Sequence, residues 1–148
     1  MTDAGELTRE VIRAFATEAA ARQVTLKIET AAGLPLVMMD GVRIRQVLNN
    51  LLSNALRHTP PGGSIETSVV TKDQTVIFVQ VHDTGSGMTQ DEVERAFDRF
   101  QKGRTPMGSG LGLTIARNLV LAHGGEICAV RNPGSGTTIS FTLPAVEY

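Results

Sequence analysis

The chain reads as an α/β protein, a two-layer α/β sandwich in which a mixed, mostly antiparallel sheet is covered on one face by helices. Three observations predict it. Strand-like runs come as sequence neighbours, Ile65–Thr71 with Val76–His82 and Glu126–Asn132 with Thr137–Leu143. A doubly wound parallel sheet would alternate each strand with a helix instead. Amphipathic runs stand between these pairs, each with one apolar stripe to bury. No repeat, low-complexity stretch or linker interrupts the 148 residues, a length that suits one domain with a real core.

Residues 6–22 form the first expected helix, with Leu7, Val11, Ile12, Phe15 and Ala19 on one stripe. Val24 to Ile28 and Leu36 to Met39 read as strands, parted by the turn Ala32-Gly33-Leu34-Pro35. Asp40 is placed to cap a helix over 41–58, whose buried side reads as Val42, Val47, Leu48, Leu51, Leu52 and Ala55. Pro60-Pro61-Gly62-Gly63 stops it. In the hairpin that follows, Ile77, Val79 and Val81 alternate with Val76, Phe78 and Gln80 across a turn at Lys72-Asp73-Gln74. Thr89 and Glu92 make a capping box for a short helix reaching Phe97. Residues 101–107 are polar and loop-like. Leu113, Ile115, Ala116, Leu119 and Val120 mark a last helix that ends at His123-Gly124-Gly125, and the final strands turn at Pro133-Gly134-Ser135-Gly136. One domain is expected over 1–148, with its core in 36–143 and a first helix and strand in 1–30.

Composition excludes several functions. A net charge of −1 with scattered Lys and Arg gives no electrostatic footprint for nucleic acid and no basic face for a membrane. The single cysteine, Cys128, rules out an internal disulfide and a Cys-based zinc site, and fits a reducing compartment. No signal peptide and no apolar run of membrane-span length is present, so a cytoplasmic domain, monomeric in isolation, is expected. Glycine is the outlier: six of 15 fall between Gly85 and Gly112.

That glycine is where chemistry concentrates. Gly108-Ser109-Gly110-Leu111-Gly112-Leu113 strips side chains from one backbone segment just before a helix. Such a segment is suited to hold phosphate against the helix N-terminus. A second pair, Asp83-Thr84-Gly85-Ser86-Gly87, directly follows a strand. On the helix at 41–58, Asn50 and Asn54 lie one turn apart on one face, and Arg57 extends the stripe. Carboxamide oxygens are adequate ligands for Mg²⁺, which takes the rest of its shell from water and phosphate. The same stripe on an isolated helix also fits a plain solvated face.

The order of these motifs decides the matter. Asn50-Leu-Leu-Ser-Asn54-Ala-Leu-Arg-His, then Asp83-Thr-Gly85-Ser-Gly87, then Phe97-Asp-Arg-Phe100, then the Gly108–Leu113 run resembles the catalytic ATP-binding domain of bacterial sensor histidine kinases. Those domains share the Bergerat-type ATP-binding fold with DNA gyrase, the ninety-kilodalton heat-shock chaperone and the MutL repair ATPases. The resemblance spans residues 36–143 and implies ATP and Mg²⁺ held between helices under a lid. It makes Asn54 the metal ligand, assisted by Asn50 at the phosphates, and Asp83 the acceptor for the adenine amino group. Gly85, Gly87 and Met88 lie along the base. Phe97 and Phe100 pin the lid, and Lys102 and Arg104 are its phosphate-facing cations. Arg57, His58, Gly108, Ser109, Gly110, Leu111, Gly112 and Leu113 complete the nucleotide contacts, and Thr137 points toward the pocket floor. The catalytic set is Asn54, Asn50 and Lys102.

Three departures from the family pattern stand out. Arg57-His58 replaces a frequent Lys-Tyr, the segment from Phe100 to Gly108 is short for a lid, and Asn50 stands where hydrolysing relatives carry a Glu. That Glu is a general base for water, which an amide cannot be. The resemblance therefore implies a protein-histidine kinase domain rather than a hydrolysing ATPase. A regulatory nucleotide-binding module, or a serine kinase of the anti-sigma type, is the alternative on the same fold. A dinucleotide site is a poor fit, because the glycine spacing is G-x-G-x-G and the run does not open the chain. His58, His82 and His123 all lack an acceptor context. The expected partners are therefore a histidine-bearing dimerisation domain elsewhere and a response regulator downstream, with the chain either a fragment or half of a split kinase.

Overall fold

Five strands form one sheet in the order β1-β2-β3-β5-β4. The structure, a computed structural model, describes residues 2–85, 91 and 111–146, with the backbone alone of Leu111 and Gly112. The elements are α1 (Ala4–Ala21), β1 (Thr25–Thr30), α2 (Gly41–His58), β2 (Ser64–Lys72), β3 (Val76–Asp83), α3 (Leu111–Ala122), β4 (Ile127–Arg131) and β5 (Thr137–Pro144). The β1–β2 pair is parallel and the other three pairs are antiparallel. Hairpins need only short turns, so β2–β3 and β4–β5 are local, whereas the parallel pair is joined by a crossover that contains α2. The expected mixed, mostly antiparallel sheet is what forms.

The helices lie on one face. Ile65, Val69, Ile77, Val79, Val81, Ile139, Phe141 and Leu143 point from the sheet into the core. Leu48, Leu51 and Leu52 of α2, Val11 of α1, and Ala116 and Val120 of α3 meet them. Full burial of each large side chain contributes about 1.5–3 kcal/mol. Among the described residues nothing covers the opposite face, which carries Glu66, Ser68, Gln80, His82, Thr138 and Ser140. Helix α2 lies between α1 and α3, and it begins and ends at the expected residues. The Asp40 carboxylate accepts from the Val42 and Arg43 amides, 3.1 and 3.3 Å away, filling two of the donors a helix start leaves unpaired. At the other end Thr59 is extended because Pro60 follows it.

Four expectations are corrected. Val42 is 74% exposed and Ile44 takes its place, since the buried row runs 44, 47, 48, 51, 52, 55 at helical spacing. Leu36–Met39 is no strand: Val37 makes one isolated bridge to Thr2, and no strand lies beside it to continue the ladder. Helix α1 starts at Ala4, earlier than expected, because Asp3 caps it by accepting from the Glu6 amide at 3.1 Å. Helix α3 starts at Leu111, inside the glycine run, and its Ile115 is 39% exposed.

Replacing Asp40 with Ala removes the cap of the helix that carries Asn50 and Asn54. The expected loss is about 1 kcal/mol, a fall of roughly 2–4 °C in Tm for a domain of this size. A thermal melt coincident with the parent would contradict that role.

Candidate functional site

Asp83 is the last residue of β3, paired with Ile65 on β2 and Thr137 on β5. The period-2 alternation of β3 turns its side chain to the helix face, where the residue is 3% exposed. One carboxylate oxygen, Oδ1, accepts from the Gly85 amide at 3.0 Å and the Thr137 amide at 3.3 Å. Burial pushes the carboxyl pKa up from its ordinary 3.8, against the pull of those two amides and the charges of His58 and His82. A buried carboxylate is costly unless hydrogen-bonded, and carboxylates of shifted pKa gather where chemistry is done.

Gly85 explains how α2 reaches this point. A methyl on Gly85 would overlap the His58 carbonyl oxygen, so the last residue of α2 packs directly on the backbone after Asp83. Thr84 fixes the other side, its hydroxyl accepting from the Ser64 amide at 3.0 Å. Asn54, one turn before His58, is 4% exposed and so is not a solvated residue, whereas Arg57 on the same stripe is exposed. The Arg57 guanidinium Nη2 donates to Asn54 Oδ1 at 3.1 Å and so fixes the sense of that carboxamide. Asn50 lies half-buried one turn earlier on the same face, and His58 is half-buried too. Asp83, Gly85, Thr137, Asn54, Arg57 and His58 thus lie where β3 and α2 end and β5 begins. Leu113 is half-buried in α3, which begins within the glycine run. Gly87, Met88, Phe97, Phe100, Lys102, Arg104, Gly108, Ser109 and Gly110 lie outside the described residues, as does the Thr89–Glu92 capping box.

Two residues the sequence did not point to belong to this region. Asn132, in the β4–β5 turn, donates from Nδ2 to the Asp83 carbonyl at 3.0 Å. Thr67, beside Val81 on β2, buries its hydroxyl without a hydrogen-bond partner among the described residues. Neither carries a local motif, and only strand register brings them here.

Residues 39–147 match the family described as histidine kinase-, DNA gyrase B-, and HSP90-like ATPase. The chain belongs to that family. It is 45% identical to the sensor histidine kinase WalK of Bacillus subtilis over 117 residues, 75% of this chain but 19% of WalK. The catalytic domain of histidine kinase ThkA superposes with a TM-score of 0.87 at 31% identity, covering 97% of this chain and 93% of that one. ThkA has also been crystallised with the response regulator TrrA. Full-length ShkA in complex with AMPPNP gives a TM-score of 0.86 at 28% identity, covering 99% of this chain and 31% of ShkA. The chain therefore spans about a fifth of WalK and is a histidine kinase-type ATPase domain. No described helix is long and apolar enough to cross a membrane.

The site's chemistry fits the nucleotide such domains take. Asp83 offers an ionisable acceptor in a desolvated place, suited to an exocyclic amino group. Among the described residues no group of three His, Cys, Asp or Glu stands ready for a metal. A cation placed here would find the neutral Asn54 oxygen, which keeps a second lone pair beside Arg57, and would draw the rest of its shell from phosphate and water.

The raised pKa of Asp83 has a signed consequence for stability. The folded state holds the Asp83 proton more tightly than the unfolded chain. The protonated form is therefore favoured below the unfolded pKa, and that contribution is lost as pH rises through the higher folded value. Relative to Asp83→Asn, which stays neutral, the parent should lose stability as pH climbs from 3.8 upward. Urea titrations of both proteins across that window test it, and a pH-independent difference would contradict the burial cost.

Proposed function

We propose that the chain is the ATP-binding catalytic domain of a two-component sensor histidine kinase. It binds Mg-ATP and passes the γ-phosphoryl group to a histidine on a separate dimerisation and phosphoacceptor domain. The observation that carries this is the buried Asp83 carboxylate held at the end of β3 against the α2 terminus that bears Asn54. In this reading Asp83 accepts from the adenine amino group and rejects guanine, which presents an oxygen there. Gly85 leaves the backbone bare beneath the base, and Thr137 braces Asp83 through its amide.

Asn54 ligates Mg²⁺, Asn50 assists at the phosphates, and Arg57 and His58 close that end of the site. When bound, Mg²⁺ supplies neutralisation of charge on the phosphate oxygens. Lys102 and Arg104 serve as lid cations, with Gly87, Met88, Phe100 and the Gly108–Leu113 run completing the nucleotide contacts. A neutral imidazole is a competent nucleophile, so the domain's work is positioning and charge balance. Asn50 has no basic lone pair to activate water, which favours transfer over hydrolysis.

Two of the chain's three histidines are already engaged, and the third, His58, closes the α2 end of the site in this reading. His82 is bonded to Thr138, and both ring nitrogens of His123 are engaged, by the Asp40 amide and the Leu119 carbonyl. The acceptor thus comes from another domain, and a response regulator follows, as the ThkA complex with TrrA suggests by analogy. The domain works on the cytoplasmic side, monomeric in isolation, without nucleic acid or direct membrane contact.

Calorimetry with ADP and Mg²⁺ should show that Asp83→Ala costs roughly 1.5–3 kcal/mol, the worth of a charged-acceptor hydrogen bond. Equal affinity of the parent for GDP would sink the adenine assignment.

With labelled ATP, the chain alone should neither label itself nor release phosphate appreciably, and adding a histidine-bearing hairpin domain should give acid-labile label. Asn54→Ala should abolish that transfer more than it weakens ADP binding. Robust hydrolysis by the unmodified chain would favour the ATPase reading instead.

A further inference from the structure

Behind Asp83, on the bare face of the sheet, runs a chain of side-chain hydrogen bonds that the nucleotide contacts do not use. His82 Nδ1 lies 2.9 Å from Thr138 Oγ1, Thr138 Oγ1 donates to Asn132 Oδ1 at 2.6 Å, and Asn132 Nδ2 donates to the Asp83 carbonyl at 3.0 Å. The Thr138 hydrogen is committed to Asn132, so its oxygen can only accept from His82, and His82 carries a hydrogen on Nδ1. Asn132 is thereby engaged at both ends of its amide, which fixes its sense.

The same turn grips this corner at three further points. The Thr137 amide donates to the Asp83 carboxylate, and Ser135 Oγ donates to the Thr84 carbonyl at 3.3 Å. Gly136 sits at φ +96°, and any side chain there would overlap the Asp83 carbonyl oxygen. One turn therefore holds the main chain of Asp83 from one face of the sheet and its carboxylate from the other. Asp83 is where β3 ends; on the β2 side the Thr84 amide still donates to the Ser64 carbonyl at 3.1 Å, and the turn holds the other side. Asn132 supplies a donor at that point.

We propose that Asn132, oriented by Thr138 and His82, is a positioning residue for nucleobase recognition, fixing the Asp83 backbone so that its carboxylate meets the amino edge of the base in one orientation. This rests on the reading of Asp83 as the adenine acceptor. A residue that only stabilised the turn would weaken all nucleotides alike. A residue acting through Asp83 weakens only those that offer Asp83 an amino group.

The test is calorimetry of the parent, Asn132→Ala, Asp83→Ala and the double variant with ADP and with purine riboside 5′-diphosphate, which has hydrogen in place of the amino group. Asn132→Ala should weaken ADP about 3- to 10-fold, the worth of one neutral hydrogen bond, and leave the purine riboside ligand within about twofold. In the Asp83→Ala background the Asn132 change should cost ADP less than about twofold, since coupled residues are not additive. Asn132→Asp keeps the acceptor for Thr138 but faces the Asp83 carbonyl with an oxygen, so it should weaken ADP at least as much. It provides the reading if the Ala variant does not fold. Equal losses for both ligands, full ADP affinity in both Asn132 variants, or an undiminished Asn132 effect without Asp83 would overturn the positioning role while leaving Asp83 as acceptor. Full ADP affinity in Asp83→Ala would instead remove the acceptor reading, and the positioning role with it.

Discussion

A carboxylate buried at the end of a central strand is the constraint around which this domain is arranged. Removing a charge from water costs more than a single hydrophobic contact returns, so Asp83 is tolerable only where fixed donors surround it. Its donors come from different parts of the chain, the Gly85 amide just after it and the Thr137 amide of β5. Bringing Gly85 in requires α2 to end on it, with the His58 carbonyl where a side chain would be. Hydrophobic packing alone would have put an aliphatic residue at this rung. The acid marks a place where the fold gives up stability, a cost that the proposed contact with the base would explain.

Helix α2 is held at both ends by segments that carry motifs. Its last carbonyl rests on Gly85, and at its start the Asp40 amide donates to His123 Nε2 at 3.1 Å. His123 Nδ1 in turn lies 2.8 Å from the Leu119 carbonyl, which assigns the hydrogen to Nδ1 and leaves Nε2 as acceptor. The helix that follows the glycine run is thus fastened to the helix that carries Asn54. Neither Asn54 nor Asp83 can shift far without disturbing the other's support.

Much of this was legible in the sequence, for reasons that can be named. Helix α2 combines a cap, a helical apolar period and a stop at Pro60, three signals that agree, and its limits follow. The hairpins were legible because alternation and turn residues coincide. Leu36–Met39 misled because four apolar residues look alike whether or not a strand lies beside them, and here the described neighbours are isolated contacts from Thr2 and Val146. Val42 misled because apolar character does not say on which side of a helix a residue lies. The burial of Asn54 was illegible for the converse reason: a polar residue at helical spacing resembles a solvated one until its neighbours are known. Asn132 was out of reach altogether, since its partner lies 49 residues away and only the register of β3 on β5 joins them.

A sheet covered on one side has two free edges and a bare face, each a template for unwanted association. The outermost strand β1 answers with Lys27 and Glu29 turned outward, and Lys27 lies 3.8 Å from Glu66 across to β2. The other border, β4, is five residues long and ends in an exposed Arg131. Between them this face mixes hydroxyls, Gln80 and His82 with half-buried Phe78 beside Val70, while the exposed Val70 and Val130 lie on well-separated strands. Such a domain can be carried at high local concentration, tethered beside copies of itself, without its sheets joining edge to edge.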